Sequence, residues 1–218
     1  MKLDLLKPFE RLPYFTIEGC KQLLDVDEDG NQRVREMLSR WSKGGHILRL
    51  KKGVYMTRRF YDLHRHESDF LPAVSNILLP QSYLSLEYVL QRAGMLTAIT
   101  YSMTAVTTKN TRTIENIFGT FIFRHIQPDY YTSFTHHEYH GIVYGFASLA
   151  KALFDYLYQR PFPRRLRTHL VSLAEDLRLN LDECTPEFQE EFEGYVVSSR
   201  SAKMAFILEN LRRAVWQP

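Results

Sequence analysis

A pair of glycines and a short basic turn limit what the first sixty or so residues of this chain can fold into. Gly44-Gly45 ends a stretch in which apolar residues recur at the i, i+3, i+4 and i+7 spacing of a buried helix face. These residues are Val34, Met37, Leu38 and Trp41. Two strand-like runs follow at 46–50 and 54–56, and Lys51-Lys52-Gly53 between them is typical of a tight hairpin. The segment therefore predicts a helix followed directly by a two-stranded hairpin.

Two shorter helical stripes precede this helix. The first contains Leu3, Leu6 and Phe9 and ends before Pro13. The second follows Thr16, a good N-cap, and its apolar positions are Ile17, Cys20, Leu23 and Leu24. Asn31 is the N-cap that we expect for the third helix. Three short helices followed by a hairpin are the plan of a winged helix-turn-helix, which we place at residues 1–62.

The charge of the chain is unevenly distributed. The formal net charge is +3, but residues 1–66 carry 14 Lys and Arg against 9 Asp and Glu, whereas residues 67–218 carry 14 against 16. Between residues 30 and 60, nine Lys and Arg accompany a single acid, Glu36. This division predicts that the first domain binds a polyanion and that the second does not.

The third predicted helix would be the recognition helix if the first domain binds double-stranded DNA. Its N-terminal end would enter the major groove, where Arg pairs with guanine and Gln with adenine. The residues expected at base edges are Gln32, Arg33 and Arg35. The residues expected at phosphates are Arg40, Lys43, Arg49, Lys51, Lys52, Arg58 and Arg59. Two alternatives remain open: these cations only solvate the surface, or the winged helix docks onto a partner protein.

The remainder of the chain predicts a second, α+β domain at residues 67–218. Residues 60–67 are polar and aromatic and are predicted to be a linker. Helices are predicted at 68–77 and after Ser82 or Ser85, followed by strands at 98–108, 120–126, 129–135 and 138–146. Four helices at about 147–159, 164–178, 186–197 and 200–215 complete the chain. Strands followed by helices indicate an α+β fold with a mainly antiparallel sheet and C-terminal helices.

Several stretches resemble the AbiEi family, the antitoxins of type IV toxin–antitoxin systems. In the first domain they are FTIEGCKQLL and VREMLSRWSKGGHILRLKKGVYM. In the second they are LPQSYLSLEYVLQRAGML, ITYSMTAVTTKNTRTIENIFGTFIFRHIQP and ASLAKALFDYLY. The resemblance extends over residues 15 to about 160. It departs at Ala150, where the family's Pro-Glu-Lys-Ala pattern has Glu.

The resemblance implies a bacterial repressor that is also an antitoxin. It implies that the first domain binds the promoter of its own operon and that the second counteracts a nucleotidyltransferase-type toxin, either functionally or in a direct complex. A polar basic strip, predicted to lie on a loop and a strand, is the candidate antitoxin surface: Lys109, Arg112 and Arg124. The competing interpretation of this strip is an ordinary exposed loop and strand face.

The sequence offers little for catalysis, metals or membranes. Phosphate-binding glycine loops and serine-hydrolase signatures are absent, and the carboxylates Asp129, Glu138 and Asp155 lack the nuclease spacing to Lys151. We therefore expect no enzyme and no cofactor, with a cryptic nuclease as the least favoured alternative. The histidines at 136, 137 and 140 are expected in a polar hairpin tip rather than at a metal, and those at 64 and 66 in the linker. Without a signal-peptide pattern or an apolar span, the expected location is cytoplasmic.

Overall fold

The chain divides into two compact units. The computed structural model describes residues 3–24, 31–98, 101–161, 173–181 and 184–216. The first unit comprises Met1–Pro80, Ile114–Gly119 and Glu138–Val143, and the second comprises Gln81–Thr113, Thr120–His137 and Tyr144–Pro218. The first unit thus extends to Pro80 and takes in two short later segments, whereas the sequence places the start of the second domain at residue 67.

The first unit begins with short helices and a small sheet. A 3-10 helix at Leu3–Phe9 is followed by β1 (Phe15–Thr16), α1 (Ile17–Leu23) and α2 (Asn31–Lys43). The hairpin strands β2 (Ile47–Lys51) and β3 (Val54–Thr57) come next, then α3 (Arg58–His64) and α4 (Phe70–Leu78). The three strands pair antiparallel in the order β1-β3-β2.

Local chemistry predicted from the sequence accounts for α1 and for the buried face of α2. Asn31, the expected N-cap, is instead the first residue of α2, and its Oδ1 has no hydrogen-bond partner among the described residues. The Thr16 Oγ1 accepts a hydrogen bond from the Gly19 amide at 3.0 Å, which caps α1. On α2, Val34, Leu38 and Trp41 are buried, as the helical spacing predicts. They share one core with the following residues: Leu6, Phe9, Phe15, Cys20 and Ile47.

The predicted linker at residues 60–67 is wrong for its first half, because Arg58–His64 forms α3. The Thr57 Oγ1 caps this helix by accepting from the Phe60 amide at 3.1 Å. The Phe60 side chain is buried. The Thr57 cap and the packing of Phe60 together stabilise a helix that has no repeating apolar stripe. Strand β1 was also not predicted, because two residues carry no periodic signal of their own.

The second unit contains the larger sheet and the C-terminal helices. Its strands are β4 (Ser82–Leu84), β5 (Met103–Thr107), β6 (Arg112–Asn116), β7 (Gly119–His125), β8 (Phe134–Tyr139) and β9 (Ile142–Ala147). Its helices are α5 (Glu87–Arg92), α6 (Leu149–Gln159), α7 (Leu173–Asp176), α8 (Pro186–Ser199) and α9 (Ala202–Leu211), with a 3-10 turn at Pro128–Tyr130 and a π-helical turn at Arg212–Trp216. Most of the helix predicted at 164–178 lies outside the described residues.

The six-stranded sheet has the order β6-β7-β5-β4-β9-β8, and the turn ends of its two hairpins, with the adjoining strand residues, are grouped with the first unit. Strands β4 and β5 pair antiparallel. The pairs β6–β7 and β8–β9 are antiparallel as well, because a loop of only two residues joins the strands of each pair. The pairs β4–β9 and β5–β7 are parallel, so three of the five pairings are antiparallel and the sheet is mainly antiparallel, as predicted. Ser82, one of the two serines predicted to cap a helix, begins the fully buried strand β4 instead, because it pairs with Thr107 of β5.

The single strand predicted at 138–146 instead contains the end of β8, a two-residue turn and most of β9. His140 and Gly141 have φ of 47° and 77°, so both central residues of the two-residue loop have positive φ, as in type I′ hairpins. His140 therefore lies at a polar hairpin tip, as expected, and it is not on a helix with His136. Among the helices of the described residues, none combines the length and the apolar character needed to cross a membrane.

Candidate functional site

The base-reading residues predicted in the first unit lie exposed at the start of α2. Gln32, Arg33 and Arg35 occupy its first two turns, and the buried stripe of Val34 and Leu38 directs them away from the core. Arg33 and Arg35 have no hydrogen-bond or ion-pair partner among the described residues. An exposed Arg without a protein partner keeps all five N–H donors for an external acceptor.

Two lysines of the predicted phosphate-binding set are equally unengaged. Lys43 ends α2 and Lys52 lies in the turn between β2 and β3. Both side chains are exposed, and neither has a polar partner in the part of the chain that the structure describes. They are thus available as point charges, which is what a nonspecific phosphate contact requires.

Gln32 and Arg40 form weak, exposed contacts with Glu36. The Gln32 Nε2 donates to one Glu36 oxygen at 3.1 Å, and Arg40 contacts the other at 3.4 Å. Arg49 donates to the Lys51 carbonyl at 3.5 Å, which is the outer limit of a hydrogen bond. Exposed contacts of this kind contribute at most about 1 kcal/mol, so they do not prevent these side chains from turning to another partner.

Arg58 and Arg59, which the sequence places at phosphates, both form ion pairs within the protein. Arg58 donates to both carboxylate oxygens of Asp62 at 3.0 Å, one turn along α3. Arg59 forms an ion pair with Glu10 at 3.0 Å. Both are therefore weaker candidates for phosphate contact than Lys43 or Lys52.

Lys51 has a structural task that the sequence did not indicate. Its Nζ donates to the carbonyl oxygens of Ile77 and Leu78 at 2.7 and 2.9 Å. These carbonyls end α4, where a cation satisfies unpaired acceptors and the negative end of the helix dipole. Replacing Lys51 would therefore change stability as well as charge, whereas Lys52 offers a clean change of charge.

The strip proposed as the antitoxin surface belongs to the second unit. Lys109, Arg112 and Arg124 are all exposed, on β6, β7 and the loop before β6. The Arg112 Nε donates to the Asn110 carbonyl at 3.2 Å, while Lys109 and Arg124 have no side-chain partner among the described residues. On β7 the exposed Arg124 alternates with the buried Phe121 and Phe123, as the period of two predicts.

A buried polar network is the feature of the second unit that sequence reasoning missed. Lys151 and Asp155, one turn apart on α6, form an ion pair and are 1% and 0% exposed. The Lys151 Nζ also donates to the Tyr83 hydroxyl at 2.9 Å. The other Asp155 oxygen accepts from the Tyr83 hydroxyl at 2.9 Å and from the Ser85 hydroxyl at 2.7 Å.

Burial opposes the charged form of both members of this pair. It lowers the pKa of Lys151 and raises the pKa of Asp155, and in each case the charge of the partner opposes that shift. Lys151 also borders a cavity of about 360 Å³ and lies 5.2 Å from the Phe154 ring centroid. The i, i+4 spacing of Lys and Asp was visible in the sequence, but it equally fits an exposed helix pair.

The chain matched no protein-family model and no curated protein.

Proposed function

We propose that this protein is a sequence-specific DNA-binding autorepressor whose first sixty residues form a winged helix. The observation that carries the proposal is a set of exposed cations on α2 and the β2–β3 turn that have no ion-pair partner among the described residues: Arg33, Arg35, Lys43 and Lys52. A soluble helix face normally carries both charge signs, and here the single acid of the segment, Glu36, is shared by Gln32 and Arg40. An external polyanion is the partner that such a surface fits best.

The order of elements supports the winged-helix assignment. A first helix, β1, α1, α2 and the β2–β3 hairpin follow one another, and β1 joins the hairpin in one small sheet. In this arrangement α2 is the second helix of the helix-turn-helix pair and the hairpin is the wing. The helix offers Gln32 and Arg35 to base edges from its N-terminal end, while the wing offers Lys52 to the phosphate backbone.

A protein-docking role for the same surface is the competing proposal. A docking face of a stable complex would present apolar or aromatic anchors surrounded by a polar rim. On α2 the large apolar residues Val34, Leu38 and Trp41 are buried in the core, and the exposed positions are polar or charged. This distribution favours a nucleic acid over a protein.

Mutation is expected to distinguish the residues that contact bases from the residues that contact phosphates. In the full chain, Arg35→Ala should weaken binding to the promoter of its own operon by about 1–3 kcal/mol and leave binding to random duplex unchanged. Lys52→Ala should weaken both by the same factor. Fluorescence anisotropy with the two duplexes at a fixed salt concentration measures both effects.

Arg59→Ala is the matched control, because it removes an equal charge from a residue that is paired with Glu10. It should change binding less than Lys52→Ala. An Arg35→Ala variant that loses affinity for random and promoter DNA alike would contradict its assignment to a base edge. Equal weak binding of both duplexes by the unmodified chain would favour the docking alternative.

We further propose an antitoxin role for the second unit, with Lys109, Arg112 and Arg124 as its contact surface. These three cations are exposed, belong to one unit and lie on or beside neighbouring strands, so they can bind one acidic partner. The proposal rests on the resemblance to antitoxins of the AbiEi family and on this clustering. It includes a cytoplasmic location and no catalytic activity of the chain itself.

The antitoxin proposal predicts a growth phenotype. Co-expression of the full chain with the nucleotidyltransferase-type toxin encoded beside it should restore growth, and replacing Lys109, Arg112 and Arg124 with Gln should remove that rescue. The control triple variant, with Gln at Arg92, Arg160 and Arg213, removes three exposed charges elsewhere in the same unit and should still rescue. Rescue by the first variant would exclude this surface, and failure of the unmodified chain would exclude the antitoxin role.

A further inference from the structure

We propose that His64, Glu67 and His140 form a binding site for a first-row divalent transition metal, zinc above all. One nitrogen from each imidazole and one carboxylate oxygen lie within 4.8 Å of one another. All three residues belong to the first unit, although His140 is more than seventy positions away in sequence. The sequence expectation of no metal considered His140 with His136 and His137, and the fold gives it different neighbours.

Each ligand is positioned by a different local device. His64 ends α3, and its ring packs against Phe60 with 4.2 Å between centroids. Glu67 lies three residues later, with its Oε1 2.8 Å from the His64 Nδ1. His140 occupies the positive-φ turn between β8 and β9, and its ring centroid is 4.6 Å from that of His64.

Tyr139 supplies the support that a carboxylate ligand normally has. Its hydroxyl donates to the Glu67 Oε2, which leaves Oε1 beside the His64 Nδ1. Groups that hydrogen-bond to a ligand fix its orientation and are as much a part of metal sites as the ligands themselves. Glu67 is therefore placed to bind a metal ion through one oxygen, Oε1, while the Tyr139 hydroxyl holds the other.

The spacing of the ligand atoms requires a modest closure around the ion. Zinc–ligand bonds of about 2.0–2.2 Å in tetrahedral geometry place ligand atoms about 3.4 Å apart, so atoms up to 4.8 Å apart must approach by about 1.4 Å. Glu67 and His140 are exposed and can make this movement by side-chain rotation. His64, held by Phe60, stays in place.

The donor set determines the class of metal. Two imidazole nitrogens and one carboxylate oxygen suit Zn²⁺, Co²⁺, Ni²⁺ and Cu²⁺, whereas Mg²⁺ and Ca²⁺ prefer oxygen ligands alone. Three protein ligands leave a fourth position for water. His64 and His140 border an open cavity of about 880 Å³, through which water and the ion have access. Two of the cations that line it, Lys7 and Arg59, are paired with Asp4 and Glu10.

The test uses the full chain after treatment with a chelator. Titration with Co²⁺ should give the visible absorption of a tetrahedral site at one equivalent, and Zn²⁺ should displace it. Zn²⁺ should also raise the melting temperature, because the three ligands come together only in the folded chain. The variants His64→Gln, Glu67→Gln and His140→Asn should each lose the Co²⁺ spectrum. Asn tolerates the positive φ of the turn, so the last substitution preserves the hairpin.

Tyr139→Phe keeps all three ligands and is expected to weaken Zn²⁺ binding about 10–100-fold. The matched controls His66→Gln and His136→Gln remove exposed imidazoles outside the cluster and should bind like the unmodified chain. Absence of Co²⁺ or Zn²⁺ binding by the unmodified chain would overturn the proposal. Equal loss in control and ligand variants, or retention of the spectrum in the ligand variants, would also overturn it. Should His140→Asn fail to fold, Glu67→Gln and Tyr139→Phe decide the question.

Discussion

Replacement of Lys151 with Met is expected to lower the free energy of unfolding by about 3–5 kcal/mol, because it leaves the buried Asp155 carboxylate without its counter-charge. The two side chains are almost completely buried on α6, so the variant leaves the carboxylate in surroundings that solvate a charge poorly. The hydroxyls of Tyr83 and Ser85 would still donate to Asp155, but two neutral donors do not replace a charge. Equilibrium unfolding in urea measures the change.

The double variant Lys151→Met, Asp155→Leu should be considerably more stable than Lys151→Met alone. Removing both charges leaves no uncompensated ion, and hydrophobic replacement of a buried pair is often close to neutral. Arg213→Met is the control, because Arg213 forms an exposed i, i+4 pair with Glu209, and it should change stability by less than about 1 kcal/mol. A Lys151→Met variant as stable as this control would mean that the ion pair does not hold α6 in place.

The same variant should also change how stability depends on pH. Burial already raises the pKa of Asp155, and removal of Lys151 takes away the charge that opposed this rise. A carboxyl whose pKa is raised in the folded state stabilises the protein below its unfolded pKa, and this contribution is lost as the pH rises through the folded pKa. Lys151→Met should therefore be closest to the unmodified chain at acid pH and furthest from it at neutral pH.

Elements with a strong local signal could be predicted from the sequence. The Thr16 cap, the buried face of α2 and the hairpin after Gly45 each depend on residues within a few positions of one another. Helix α3 was missed because a single buried side chain, Phe60, anchors it and no apolar period precedes or follows. Strand β4 was missed because serine before an apolar run also fits a helix cap, and only pairing with β5 and β9 decides between them.

The candidate sites divide in the same way. Exposure of Arg33, Arg35 and Arg124 follows from the helical and strand periods alone. The role of Lys51 could not be predicted, because it depends on two carbonyls of α4 that lie 26 and 27 residues away in sequence. The pairing of His140 with Glu67 and His64 likewise depends on where a hairpin turn lies relative to a helix end. Long-range contacts of this kind decide which exposed cations and histidines are available to bind an external ligand.

The dependence of DNA binding on salt tests how many cations remain available. Each phosphate contact contributes about −0.9 to the slope of log K against log salt concentration. The sequence proposed seven phosphate contacts, but Lys51, Arg58 and Arg59 are engaged within the protein. The four that remain are Arg40, Lys43, Arg49 and Lys52.

Four contacts per chain predict a slope of about −3.6 and a loss of about 150-fold in affinity between about 50 and 200 mM salt. Seven contacts would give about −6.3 and a loss of about 6,000-fold over the same range. Anisotropy titrations of the full chain at several salt concentrations, with the number of bound chains determined independently, distinguish the two values. A slope near −6 would show that the three engaged cations exchange their protein partners for phosphate.

Two substitutions that each remove one positive charge make the test specific. Lys43→Ala removes, from the end of α2, a cation without an ion-pair partner in the described part of the chain, so the slope should become less steep by about 0.9. Arg58→Ala removes a cation that donates to both oxygens of Asp62, and the slope should stay the same. Equal changes in both variants would mean that the slope reports net charge and not defined contacts. A flat response of the unmodified chain would contradict DNA binding itself, because no duplex is bound through cations without the release of counterions.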